Sequence, residues 1–207
     1  MSHISVMTEI TKITVLDHMP PATRRFILQW GDMGSTWGVN RSVAQIHALL
    51  YIGARPMHAE EIAETLGIAR SNVSNSLKEL QSWKIIARTP LPGDRRDYFV
   101  AEADVWEMAM RIAAVRKQRE IDPALETLSA CLEEADGDKD VSDIQRQRLE
   151  DLRAFTLTMD RWYDQMLNVP TPVLLRMVKM GDKVVKLLGF GQKKKAKEKK
   201  KTKNQAA

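Results

Sequence analysis

The chain has 207 residues, of which 43% are hydrophobic and 29% are charged, so it is long enough to bury a core of its own. Its single cysteine excludes a disulfide framework, and four scattered histidines with one cysteine make no zinc-binding cluster. The sequence contains neither a signal peptide nor an apolar run of membrane-spanning length. We therefore expect a cytoplasmic protein with no integral membrane segment, no metal and no cofactor.

The net charge of +5 is distributed unevenly. Residues 192–207 hold eight lysines and one glutamate, whereas the rest of the chain carries 24 basic and 26 acidic side chains. Because the body of the chain is near neutral, its overall basicity is no evidence of a nucleic-acid-binding fold. Such evidence has to come from local patterns, and residues 191–207 are predicted to be a disordered, Lys-rich tail.

The first part of the chain predicts an arm and two helices. Residues 1–20 have no clear period and are predicted to be a loose arm. The first helix starts near residue 21, and Gly31 and Gly34 weaken its end. The second starts at about Asn40 and is stopped by Gly53.

A short third helix is predicted within "MHAEEIAETLG". His58 takes the N-cap position, and Glu61 stands three residues later, which is the spacing of a capping box. Gly67 is placed to adopt the left-handed conformation that ends a helix. These signals define the turn that leads into the next helix.

The fourth predicted helix, "RSNVSNSLKELQSW", runs from Arg70 to residue 81 or 83. Its apolar residues Val73, Leu77 and Leu80 have the spacing of one helix face. The opposite face has no acidic residue and consists almost entirely of hydrogen-bond donors, namely Arg70, Ser71, Asn72, Ser74, Asn75 and Lys78. Such a face meets either water or the base edges and phosphates of a nucleic acid.

A hairpin is predicted in "KIIARTPLPGDRRDYFVA". Strands begin at residues 85–87 and 98–100, and a polar turn with proline and glycine joins them. Arg95 and Arg96 make its tip basic. The tip either contacts phosphates or is a solvated turn in which neighbouring aspartates hold the arginines.

The last third of the chain is predicted to be helical, with a break at Pro123. One helix carries apolar residues at alternating spacings of three and four, which is typical of a coiled-coil seam. This seam is the predicted dimer interface: Leu152, Phe155, Met159, Trp162 and Met166. A final basic amphipathic helix over 173–188 packs on the dimer partner or lies on an anionic membrane.

The order of these elements predicts a winged helix-turn-helix, a mainly α fold with a small β wing. The predicted division is an arm at 1–20, a DNA-binding domain at 21–102, a helical dimerisation region at 103–190 and the tail. A donor-rich helix suits the major groove, because Asn bonds adenine and Arg or Lys bonds guanine or phosphate. The basic hairpin tip would reach phosphates or the adjacent minor groove.

The segment "PMHAEEIAETLGIARSNVSNSLKELQSWKIIARTPLPGDRRDYFVAEADVW" resembles MarR-type winged-helix transcriptional regulators, and within them the GbsR branch. The resemblance rests on the "N-V-S" helix, "L-x-x-W" and the "P-G-D-R-R" wing. It implies a homodimer on an inverted repeat of double-stranded DNA, mostly a repressor, with a possible small-molecule effector related to osmoprotectants. The DNA contacts it implies are Arg70, Ser71, Asn72, Asn75, Lys78, Arg95 and Arg96.

Two other interpretations remain open at this point. The chain would be a peripheral membrane or scaffold protein if the basic segment 173–203 is its main functional part. An enzyme is not expected, because the sequence offers no nucleophile–base pair, phosphate-binding glycine loop or metal cluster. Cages of Trp and Tyr bind methylated ammonium ligands. Trp30, Trp106 and Trp162 lie on apolar stripes, which favours packing, and the candidates for such a cage are Trp37 and the pair Trp162–Tyr163.

Overall fold

The computed structural model describes the backbone of residues 14–187 and the side chains of residues 14–181. The predicted tail and the first part of the predicted arm lie outside the described residues. The described chain is mainly helical with one small antiparallel sheet, which confirms the predicted fold class. It divides into two compact units between Val115 and Arg116.

The first unit contains five helices and three short strands. A 3-10 helix at Val15–His18 precedes them. The elements are α1 Pro21–Thr36, α2 Arg41–Gly53, β1 Met57–His58, α3 Ala59–Leu66, α4 Arg70–Ser82, β2 Ile86–Thr89, β3 Tyr98–Ala101 and α5 Val105–Arg116. Residues 14–20 are therefore not the loose arm that was predicted: the 3-10 helix buries Leu16, and Thr14 with Asp17 forms a capping box at its start.

One core of apolar side chains holds this unit together. Helix α2 lies at its centre, and all residues from Val43 to Leu50 are buried. The inward side chains of α3 and α4, Ile62, Val73 and Leu80, are 0% exposed. Burying a side chain of this size contributes about 1.5–3 kcal/mol, so the helix that carries the donor-rich face is firmly anchored.

Two glycines of α1 have a packing role that the sequence did not indicate. Gly31 and Gly34 lie inside α1, which continues to Thr36. A Cβ on Gly34 would lie 2.5 Å from the Cβ of Ala44, and one on Gly31 would lie 2.5 Å from Cγ of Gln45. The glycines therefore allow α1 and α2 to approach closely.

The sheet has one strand more than the predicted hairpin. Strand β1 pairs with β3 on the side opposite β2, so the strand order is β1-β3-β2. His58 lies opposite Tyr98 and Met57 lies opposite Phe99. A two-residue strand is too short for its period to be recognised in a sequence, and this pairing joins the root of the wing to the start of α3.

The second unit consists of a π-helical turn at Lys117–Ile121 and helices α6 Asp122–Gly137, α7 Asp143–Leu167 and α8 Thr171–Leu187. The π turn comes just before Pro123, where a break or kink was predicted. Lys117 Nζ lies 2.8 Å from Asp122 Oδ1 and 2.7 Å from Asp160 Oδ1, and these contacts raise the pKa of Lys117. This ion-pair cluster joins the π turn to α7.

Helix α7 uses one face within its own chain and leaves a second face open. It packs against α6, where Thr156 is buried and Arg153 Nε donates to Ser129 Oγ at 3.0 Å. On the predicted seam, Leu152, Phe155 and Trp162 are 52%, 62% and 49% exposed. None of the helices in the described part of the chain is long and apolar enough to cross a membrane.

Candidate nucleic-acid interface

The turn between α3 and α4 sets the direction of the donor-rich helix. Gly67 ends α3 with φ +66°, and a Cβ there would lie 2.5 Å from Cγ2 of Thr14. Both observations require glycine at this position. Helix α4 then starts after Ala69, whose side chain cannot cap it, so the first backbone N–H groups of α4 have no side-chain partner at the cap.

Four of the five α4 residues that are predicted to contact DNA are exposed. These are Arg70, Ser71, Asn75 and Lys78. Arg70 is also paired with Glu60 Oε1 of α3 at 2.5 Å. The structure therefore brings the predicted side chains together on one open surface of the first unit.

Asn72 is the exception on this face, because it is half-buried and bonded within the chain. Its Nδ2 donates to Ser42 Oγ at 2.9 Å, and its Oδ1 accepts from Ser76 Oγ at 3.4 Å. Asn72 thus links α4 to the start of α2, where the side chain of Asn40 caps the helix. Ser42 and Asn72 are 30 residues apart, and no local pattern indicates their contact.

The two arginines of the wing differ in the same way. Arg95 is exposed and forms no ion pair within the described part of the chain. Arg96 is held by the wing itself: its Nε lies 3.0 Å from both carboxylate oxygens of Asp94, and its Nη2 donates to Tyr98 Oη at 3.0 Å. The idea that flanking aspartates hold the arginines is therefore confirmed for Asp94, whereas Asp97 pairs with Arg88.

The Asp94 carboxylate organises the wing electrostatically. Hydrogen bonds from the side chain and backbone of Arg96 and from Tyr98 hold the pKa of Asp94 well below its ordinary value. In turn, the pKa of Arg96 is raised by Asp94, and the pKa of Tyr98 is raised by its hydrogen bond to the same carboxylate. The wing tip is therefore held in one shape by a charge-assisted network.

A cleft of about 310 Å³ lies between α4 and the wing. Its charged and polar lining includes Glu60, Arg70, Ser74, Lys78, Arg96 and Asp97. The cations outnumber the anions, and both anions are already paired with arginines. An open, mildly basic cleft beside a helix of donors is suited to the backbone and groove of a nucleic acid.

A second cavity, of about 210 Å³, opens elsewhere in the first unit and is almost entirely apolar. Its lining includes Phe26 and Trp30 of α1, His47 and Tyr51 of α2, and Met108 of α5. Trp30 thus lines a cavity, which the apolar stripe of α1 did not indicate. His47 is 3% exposed, its Nε2 has no partner among the described residues, and burial lowers its pKa to about 4.

Comparison with known proteins identifies the same domain. Residues 37–97 match the model of the MarR family. The chain is similar to the HTH-type transcriptional repressor OpcR of Bacillus subtilis (strain 168), with 23% identity over 103 residues, which are 50% of this chain and 56% of OpcR. It is also similar to the HTH-type transcriptional repressor GbsR of the same organism, with 25% identity over 130 residues, which are 63% of this chain and 68% of GbsR.

A solved crystal structure of a transcriptional regulator has the same fold. It matches with a TM-score of 0.57 and 19% sequence identity, covering 71% of this chain and 96% of that chain. The similarity to OpcR covers little more than half of that repressor's length. Residues 37–97 are therefore similar to the MarR family, and the fold around them is that of a solved transcriptional regulator.

Proposed function

We propose that the chain is a transcriptional repressor that binds an inverted repeat of double-stranded DNA as a homodimer and responds to a small ligand. The observation that carries the proposal is the exposed, acid-free face of α4 beside a basic wing tip. The names of OpcR and GbsR, both repressors, support the same function. The proposed DNA contacts are Arg70, Ser71, Asn72, Asn75, Lys78, Arg95 and Arg96.

The geometry supports different roles for these contacts. Asn75 and Lys78 project from the exposed face of α4, so they are the side chains that read bases or bond phosphates. Arg95 is free to enter the minor groove or contact phosphates. Asn72 and Arg96 already have partners within the chain, so they contact DNA with orientations fixed in advance.

The homodimer would be made by the open seam of α7. Exposed aromatic and aliphatic side chains on one helix face are typical of an interface that needs a second copy. The proposed interface is Leu152, Phe155, Met159, Trp162 and Met166. Two recognition helices in such a dimer would reach half-sites about one DNA turn apart.

The apolar cavity of the first unit is the proposed effector site. Phe26, Trp30 and Tyr51 present three aromatic rings, and the lining contains no basic side chain that is charged at neutral pH. A small methylated ammonium compound fits this chemistry through cation–π attraction. An osmoprotectant effector would belong to that class.

The DNA-binding proposal is tested by selection of genomic fragments with the purified full chain. The wild type is compared with Asn75→Ala and with a chain cut after Phe190. We expect the wild type and the shortened chain to enrich one inverted repeat, and Asn75→Ala to lose it. Enrichment that depends only on the tail would contradict the proposal and favour a membrane or scaffold protein.

Lys78→Ala provides a second measurement on the enriched repeat. The slope of log K against log salt is negative, and its magnitude should decrease by about one unit because one phosphate contact is lost. Lys139→Ala is the matched control, since Lys139 is an exposed lysine outside the first unit. An unchanged slope in Lys78→Ala would remove Lys78 from the proposed interface.

The effector site is tested with choline, glycine betaine and the uncharged choline analogue 3,3-dimethylbutanol. Calorimetric binding of a methylated ammonium compound that is lost in Trp30→Ala, and absent for the uncharged analogue, is the expected result. Equal binding of the uncharged analogue would indicate that the effector is apolar rather than cationic. Binding of none of the three would contradict the proposed ligand class.

A further inference from the structure

We propose that His58 is a positioning residue that connects the wing to the start of α4. Its imidazole would then set how well α4 and the wing bind DNA together. This inference rests on the proposed DNA-binding function. It starts from a histidine that the sequence placed at a helix cap and that the structure places at the root of the wing.

A continuous chain of polar contacts runs through this side chain. Arg70 of α4 pairs with Glu60 Oε1, and Glu60 Oε2 lies 3.1 Å from His58 Nδ1. On the other side of the ring, His58 Nε2 lies 2.8 Å from Arg96 Nη1. Arg96 in turn is bonded to Asp94 and Tyr98 in the wing.

The donors and acceptors around the ring determine which imidazole nitrogen carries the proton. A guanidinium has only donors, so His58 Nε2 has to accept from Arg96 and carries no proton. In the neutral ring the proton is then on Nδ1, which donates to Glu60 Oε2. The backbone N–H of Glu61 also points at Nδ1, at 3.3 Å, as the cap contact of α3. With the proton on Nδ1, the ring gives up this cap bond in favour of Glu60.

This assignment changes the role of the cap position. The predicted capping box is not completed, because the Glu61 side chain pairs with Arg55. In this tautomer His58 gives up its cap contact with Glu61 and instead bridges two elements that each carry an arginine. The remaining group against the ring is Tyr98, which contacts it edge-on with centroids 5.3 Å apart.

Protonation would break the link at one defined atom. A proton on Nε2 turns the acceptor of Arg96 into a donor and places two cations against each other. Glu60, Glu61 and Asp94 are the anions around the ring, but Glu61 is paired with Arg55 and Asp94 with Arg96. A ring with a proton on Nε2 would therefore release the wing from α3 while β1 and β3 stay paired.

Two uncharged replacements separate the bridge from the cap. His58→Gln places an amide at the position of Nε2, where its oxygen accepts from Arg96. His58→Asn places an amide near Nδ1, where it caps α3 well but does not reach Arg96. Neither side chain titrates, and neither removes a core residue, since His58 is only half-buried.

The first measurement is affinity for the selected inverted repeat at neutral pH. We expect His58→Gln to bind within about twofold of the wild type and His58→Asn to bind about tenfold more weakly, as for the loss of one charge-assisted hydrogen bond. Equal affinity of His58→Asn and the wild type would overturn the proposal.

A second measurement needs no DNA and separates this inference from the proposed function. Nitrogen-15 NMR of the free full-length protein should show His58 with a protonated Nδ1 and a bare Nε2. Backbone order parameters of residues 91–97 should fall in His58→Asn and not in His58→Gln. A protonated Nε2 at neutral pH would exclude the bridge, whereas failure of the wild type to select any DNA would count against the proposed function alone.

Discussion

The two units of the chain differ in how completely they bury their apolar side chains. In the first unit, α2, α3 and α4 carry side chains that are 0–3% exposed, and the core is continuous from Leu16 to Met108. In the described part of the second unit, Ala135 and Thr156 are the buried residues. Large apolar residues such as Phe155 are instead more than half exposed.

This difference indicates two kinds of stability. The first unit has the packing of a domain that folds on its own core. The second unit exposes large apolar side chains, which a second copy would cover in the proposed homodimer. The free energy of unfolding of the first unit should therefore be independent of protein concentration. The free energy of unfolding of the second unit should depend on it.

The largest expected effect comes from opening the core of the first unit. Leu80→Ala should lower the free energy of unfolding by about 2–5 kcal/mol, because Leu80 is 0% exposed and its removal leaves a cavity. Urea unfolding at two protein concentrations measures this loss. A loss that varies with concentration would contradict the idea that this core is complete within one chain.

The matching change in the second unit should act on assembly. Phe155→Glu places a charge on the open seam, and we expect the dimer dissociation constant to rise at least about a hundredfold. Sedimentation velocity measures the constant. Ala154→Glu, an exposed position outside the predicted seam on the same helix, is the control that should leave it unchanged; dimers that persist in Phe155→Glu would refute the proposed interface.

His47 sharpens the comparison because it is a polar exception inside the well-packed unit. Burial lowers its pKa from 6.5 to about 4, so the folded protein keeps it neutral where the unfolded chain takes up a proton. Stability from this group is complete above pH 6.5 and is lost as the pH falls towards 4, by up to about 3 kcal/mol. Thermal unfolding of His47→Phe across this range should show a flatter pH profile than the wild type.

An exposed histidine supplies the control for that measurement. His18→Gln is the matched control, since His18 is an exposed histidine of the same unit. Parallel profiles of the wild type and His47→Phe would mean that another group causes the acid sensitivity.

The smallest expected effects come from two glycines in helices. Gly34→Ala should destabilise by about 1–3 kcal/mol, because the new Cβ would lie 2.5 Å from that of Ala44. Gly137→Ala, with no atom within 4 Å of its Cβ position, should stabilise slightly, by about 0.5 kcal/mol. Calorimetric melting of both variants measures the contrast, and a neutral Gly34→Ala would show that α1 and α2 are less closely packed than described.

The elements of the first unit could be predicted from the sequence because their signals are local. The apolar spacing of α4, the cap at Asn40 and the left-handed Gly67 each depend on residues within one or two turns. The bonds of Asn72 to Ser42 and of His58 to Arg96 could not be predicted, because their partners are 30 and 38 residues apart. The apolar cavity could not be predicted, because a stripe of aromatic residues indicates burial but not whether the buried side chains leave a cavity between them.

The unfilled cap of α4 also allows the occupancy of this helix end to be followed by hydrogen exchange. With Ala69 at the cap, the amide hydrogens of the first turn, from Arg70 to Asn72, have no intrahelical acceptor. In the free protein they should exchange with deuterated water within moments, whereas those of buried turns exchange slowly. Any anion bound at the start of the helix would slow the exchange of these few amide hydrogens. Its occupancy could therefore be measured from the deuterium-dependent mass of one short peptide.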